Sequence, residues 1–138
     1  MRAIVFNQRN NVTLQERPDP KPGAGEVLVE VQASGICGTD VEILHGNYGT
    51  SAYPLIPGHE YAGTIIEIGD NVFNMKIGDR VVVDPNIECN ECSACKRGWA
   101  HLCESLGAYG VTTDGGFSEY SVVKATHIHQ LGDMPFDI

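Results

Sequence analysis

Cys89-Asn90-Glu91-Cys92-Ser93-Ala94-Cys95, followed after Lys96 to Leu102 by Cys103, sets four of the chain's five cysteines in one loop with spacing C-x2-C-x2-C-x7-C. C-x2-C spacing lets two thiolates converge on one ion from a tight turn. Three such cysteines and a fourth a few residues later complete a tetrahedral shell, for which zinc is the usual occupant, with no position left for water. Such a centre is structural, and its binding energy is folding energy. A redox pair is the weaker reading, because a redox C-x-x-C is normally one pair opening a helix after a strand. The fifth cysteine, Cys37, lies far upstream and needs its own explanation.

The chain has 138 residues and is 42% hydrophobic, enough for one domain, residues 1–138, with a real core. Glycine (16) and proline (7) recur at short intervals between β-branched residues, which predicts a mainly β fold of short strands and few, short helices. A hairpin is expected from Ala3–Phe6 and Val12–Glu16 over Asn10-Asn11. Val27, Val29 and Val31 alternate with Leu28, Glu30 and Gln32 as a half-buried strand. Thr64–Ile68, Arg80–Val83, Phe117–Val123 and His127–Leu131 are further expected strands, with Gly115-Gly116 as a tight turn before Phe117. Asp40–Leu44 breaks the alternation and predicts a short helix, capped by Thr39 or Asp40 and ended by Gly46. Residues from about 86 to 107 read as an irregular lobe wrapped around metal.

The net charge of −9 repels phosphate backbones, so nucleic acid is not an expected partner. Lys96-Arg97 reads as an offset to the anionic thiolates. No apolar run approaches the roughly 18 residues of a membrane span, so no membrane is expected. The first residues, Met1 to Asn7, turn polar too early for a signal peptide, and an odd number of tightly spaced cysteines suits metal better than disulfides. A reducing, cytoplasmic location follows as the expectation. The ending Pro135-Phe136-Asp137-Ile138 has no polar tail, and the chain reads as part of something longer.

Cys37 opens Cys37-Gly38-Thr39-Asp40, and Gly58-His59-Glu60 follows. A thiolate, an imidazole and a carboxylate with one open position form the pattern of a catalytic zinc. Gly58-His59-Glu60-x2-Gly63-x5-Gly69-x2-Val72 resembles the signature of the zinc-dependent alcohol dehydrogenases, within the medium-chain dehydrogenases/reductases and nearest the sorbitol/threonine dehydrogenase branch. The cysteine loop is similar to that family's structural zinc lobe, and Cys37-Gly38-Thr39-Asp40 to its first catalytic ligand. The resemblance covers essentially all of the chain. It implies a GroES-like, partly open β-barrel with a zinc-binding lobe, acting as the catalytic domain.

The resemblance further implies roles. Cys37 and His59 would hold the catalytic zinc, and Glu60 would be a ligand or a nearby carboxylate. Asp40 would fix the His59 tautomer, and Thr39 would take the proton of the substrate hydroxyl. Cys89, Cys92, Cys95 and Cys103 would hold the structural zinc. The implied reaction is hydride transfer between an alcohol or polyol, or the matching aldehyde or ketone, and NAD or NADP. The resemblance departs at Glu42, where many members carry a histidine that relays the proton or binds substrate. Glu42 or His45 could substitute, or both could lie on a solvated helix face. Nothing here matches G-x-G-x-x-G opening a helix, so the dinucleotide-binding domain is expected outside this chain. The fragment alone would then be inactive, and the full-length protein a homo-oligomer. The competing reading is a stand-alone zinc-stapled β-barrel serving as an interaction module. Trp99 and His101 are expected to pack the lobe, His127 and His129 to be surface histidines on one strand face, and Tyr48 and Tyr53 to border or pack beside the pocket.

Overall fold

Hairpin chemistry sets the first element of the computed structural model, which describes residues 1–49 and 52–136. β1 (Arg2–Gln8) and β2 (Asn11–Glu16) pair antiparallel. Asn10 makes the turn at φ 57°, a left-handed conformation that asparagine tolerates. β3 (Glu26–Gly35), β4 (Glu60–Ile68) and β5 (Arg80–Val83) follow. β6 (Asn86–Ile87) and β7 (Gly107–Ala108) pair with each other, and β8 (Tyr120–Lys124) and β9 (Ile128–Gln130) close the order. The main sheet is antiparallel, ordered β8-β3-β4-β5-β9, and β8 and β9 remain as its two edges. The fold is mainly β with open sheets, as expected.

The core follows from alternation. Val27, Val29, Ile65, Val81 and Val123 are fully buried on one face of the main sheet, joined by Tyr61, Val83 and Ile128. Each such aliphatic side chain contributes about 1.5–3 kcal/mol by leaving water. Tyr61 carries a hydroxyl into this core, and Ser121 on β8 meets it at 2.8 Å. Two glycines of the signature are fixed by close approach of backbone. A side chain at Gly63 would strike the Glu30 carbonyl across the β3–β4 ladder, and one at Gly69 would strike the Gly23 carbonyl.

Three elements differ from expectation. β4 starts at Glu60 rather than Thr64, because its first residues pair with the far end of β3, Gly35 to Ala33, beyond a register shift. β8 starts at Tyr120 rather than Phe117, because the backbone of 115–117 bonds to residues 56–58 instead of a ladder. The lobe from 86 to 107 is less irregular than expected, with β6 and β7 as its neck, a short helix α2 (Ser93–Lys96) and a 3-10 turn over Ala100–Leu102.

α1 (Gly38–Leu44) has Cys37 as its N-cap residue, not Thr39 or Asp40. Asp40 stands at the third helical position and reaches back to the Cys37 N–H at 2.8 Å, the return half of a capping box. Gly46 ends the helix at φ 72°, as expected. Among the described residues, no helix is long and apolar enough to cross a membrane. Asp137 and Ile138 lie outside the described residues.

Candidate metal centres

The cysteine loop converges as its spacing demands. The sulfurs of Cys89, Cys92, Cys95 and Cys103 all lie within 4.8 Å of one another. Cys89 and Cys95 are 3.9 Å apart, close to the about 3.8 Å edge of a tetrahedron with 2.3 Å zinc–sulfur bonds. A disulfide would require about 2.05 Å, and all five cysteines are free thiols. Backbone turns aim N–H groups at the sulfurs: Cys92 N–H donates to Cys89 Sγ at 3.3 Å, and Cys89 N–H donates to Cys103 Sγ at 3.4 Å.

These donors set the protonation pattern. The Glu91 and Cys92 N–H groups lower the Cys89 thiol to about 6. Those of Cys95 and Glu104 lower Cys92. Desolvation, and then the neighbouring Cys92, pushes Cys95 up to about 12. Crowded thiolates repel one another, and a divalent cation at their centre relieves that repulsion. The donor set therefore fits a tetrahedral thiolate-loving ion.

The second cluster joins parts remote in sequence. Donor atoms of Cys37, His59 and Glu60 also lie within 4.8 Å of one another. Cys37 comes from the N-cap of α1, while His59 and Glu60 come from the entry to β4. Asp40 unites them from below at 2% exposure. Its Oδ2 accepts the Cys37 N–H, its Oδ1 accepts the Gly58 N–H at 3.2 Å, and Oδ1 faces His59 Nδ1 at 3.5 Å. That ring nitrogen is buried and has no hydrogen-bond partner at normal length. A proton on Nδ1 facing this carboxylate leaves the Nε2 lone pair free for a metal. Soft sulfur, imidazole and carboxylate together suit zinc.

Thr39 Oγ1 lies 3.8 Å from Cys37 Sγ, so the hydroxyl borders the cluster. Glu60 is exposed where it pairs with Gly35. Glu42 is exposed and accepts a hydrogen bond from Asn47 Nδ2 at 3.0 Å, and His45 is the exposed C-cap of α1. Tyr53 packs inward, its hydroxyl donating to the Ile43 carbonyl, whereas Tyr48 is exposed.

Two readings of histidine and tryptophan need correction. His127 is not a surface group: it is 5% exposed, with Nδ1 3.3 Å from the Tyr109 hydroxyl and Nε2 3.4 Å from Glu88. It ends a 3-10 turn and is out of the strand's alternation, while His129 is exposed. Trp99 does not fill the lobe: it is half-exposed and stacks under the Arg97 guanidinium at 4.7 Å. His101 is exposed as well.

A mainly β domain with a four-cysteine lobe and a Cys/His/Glu cluster fits a GroES-like class with side chains able to hold metal. Residues 23–133 match the alcohol dehydrogenase GroES-like domain, and the chain belongs to that family. It is 48% identical over 138 residues to D-altritol 5-dehydrogenase of Agrobacterium fabrum, covering all of this chain and 41% of that protein. An alcohol dehydrogenase of E. coli CFT073, solved with NADH, superposes with a TM-score of 0.90 at 40% identity, covering 96% of this chain and 39% of that one. A thermostable alcohol dehydrogenase of Pyrobaculum aerophilum, solved with cobalt and zinc, gives 0.89 at 36% identity, covering 99% and 42%. The chain thus spans well under half the length of these relatives.

Proposed function

We propose that this chain is the catalytic domain of a zinc-dependent dehydrogenase acting on alcohols or polyols, or on the matching aldehydes and ketones, with NAD or NADP. The convergence of Cys37, His59 and Glu60 over the buried Asp40 carries the reading. An interaction module would use the tetrathiolate lobe and leave that convergence without a purpose. The dehydrogenases among its relatives lend the reaction class. The dinucleotide would bind to a domain outside this chain, and an oligomer in the cytoplasm belongs to the same reading.

Cys37 and His59 would hold the catalytic zinc with Glu60 beside them, and Cys89, Cys92, Cys95 and Cys103 a structural one. Zinc bound there would supply a Lewis acid that lowers the pKa of a coordinated alcohol. Thr39 Oγ1, 3.8 Å from the Cys37 sulfur, would accept the substrate hydroxyl proton while giving up its own hydroxyl proton to solvent. Asp40 keeps the His59 proton on Nδ1 and, through the Cys37 and Gly58 N–H groups, fixes the separation of the two ligand-bearing segments.

Metal analysis tests the reading. The chain should bind two zinc ions, the one at Cys37 more weakly, and Cys37→Ser should retain only one. A Cys37→Ser variant holding the same two equivalents as the parent would overturn the assignment.

A further inference from the structure

Gly115-Gly116 reads in sequence as a turn, but its backbone does something more specific. The stretch Asp114–Phe117 bonds residue by residue to Ile56–Gly58, the three residues before His59. Asp114 Oδ1 accepts the Ile56 N–H at 2.9 Å. Gly115 N–H donates to the Ile56 carbonyl at 2.8 Å, Phe117 N–H to the Pro57 carbonyl at 2.9 Å, and Gly116 N–H to the Gly58 carbonyl at 2.8 Å. The same stretch is tied to the core hairpin, because Ile4 N–H donates to the Phe117 carbonyl at 2.8 Å.

Gly58 is thereby held on every side. Its N–H goes to Asp40, its carbonyl receives Gly116, and the Phe117 ring lies where a side chain would project. Its φ of 87° lies in the region that favours glycine. The fit is close enough that a Cβ at either Gly110 or Gly115 would collide with the Gly58 carbonyl. A residue whose two flanking peptides are fixed, one through its N–H and the other through its carbonyl, leaves the next residue little freedom, and that residue is His59.

We propose that Asp114–Phe117 is a positioning clamp that aims His59 at Cys37 and Glu60, and so sets the metal affinity of that centre without touching the metal. The proposal rests on the assignment of a metal to Cys37, His59 and Glu60. A ring displaced by an ångström no longer points its lone pair at the ion, and lost support behind a metal-binding histidine typically lowers affinity about 10–100-fold. The tetrathiolate centre lies on a separate lobe behind its own β6–β7 neck and serves as an internal reference.

Cobalt(II) titration of the 138-residue chain tests the clamp, since thiolate-to-cobalt absorption distinguishes a four-sulfur centre from a one-sulfur centre. Asp114→Ala should weaken cobalt at Cys37/His59 by about tenfold or more, with the four-sulfur centre and the far-ultraviolet circular dichroism unchanged. Asp114→Asn, which keeps an oxygen for the Ile56 N–H, should restore parent-like affinity. Gly115→Ala, driven against the Gly58 carbonyl, should lose more than Asp114→Ala. Parent-like affinity in Asp114→Ala would overturn the clamp, as would equal loss at both centres without rescue by asparagine. A parent that takes no cobalt at the one-sulfur centre would instead overturn the metal assignment, and the clamp with it.

Discussion

Asp40 is a carboxylate taken almost wholly out of water. Buried carboxylates persist only when their lone pairs are used. This one accepts the backbone N–H groups of Cys37 and Gly58, from segments remote in sequence, and faces a buried imidazole. Truncation leaves both N–H groups without a protein partner, each costing about 1–3 kcal/mol where water cannot replace the acceptor. Asp40→Ala should therefore unfold at lower urea, with stability reduced by about 1–3 kcal/mol or more and an unchanged slope. A midpoint equal to the parent's would show that the two bonds are fully replaced by solvent. The donor residues themselves were legible in the sequence because metal chemistry restricts residue type and spacing. The acceptor role of Asp40 toward Gly58 was not, because it arises only once α1 and the β4 entry lie side by side.

At the scale of elements, legibility followed the source of each element's stability. β5 reads well because Val81 and Val83 alternate into the core, and alternation is a local property, whereas β3 buries Leu28 along with Val27 and Val29 beside a register shift and is not simply half-buried. The start of β8 is not legible locally, because Phe117 has strand chemistry but its backbone is committed to Pro57 and Ile4, partners far away in sequence. The lobe shows the opposite case. α2 has four residues, and β6 and β7 have two each, far below what helix or strand propensity sustains alone. The sulfurs accept the loop's N–H groups, and a metal held between them, as proposed, would supply the rest of the order. Chelation should then release the lobe first. Amide hydrogens over 86–108 should exchange rapidly in a strong chelator, while those shared by β3 and β4 stay protected. Equal protection of the lobe with and without chelator would mean that packing, not metal, orders it.

At the scale of the whole molecule, the proposed reaction needs two substrates, an alcohol or carbonyl compound and a dinucleotide. A dinucleotide needs a site for its pyrophosphate, normally the N-terminus of a helix opened by a glycine-rich turn. Among the described residues, the helices are seven and four residues long. At the start of α1 the Cys37 N–H is already bonded to the Asp40 carboxylate, whose charge occupies that end of the helix. The second helix begins inside the thiolate cluster, where negative charge gathers. A net charge of −9 adds a general repulsion toward a dianionic cofactor. Among the described residues the open sheet thus carries a Cys/His/Glu cluster bordered by the Thr39 hydroxyl, and neither α-helix offers a glycine-rich N-terminal turn. Titrating NADH into this chain should give no saturable fluorescence enhancement up to about 1 mM, the upper end of ordinary cofactor and substrate affinities. The chain should accordingly oxidise no alcohol by itself, even with zinc supplied. Saturable binding in that range would place a cofactor site on this domain and undo the division of labour proposed for it.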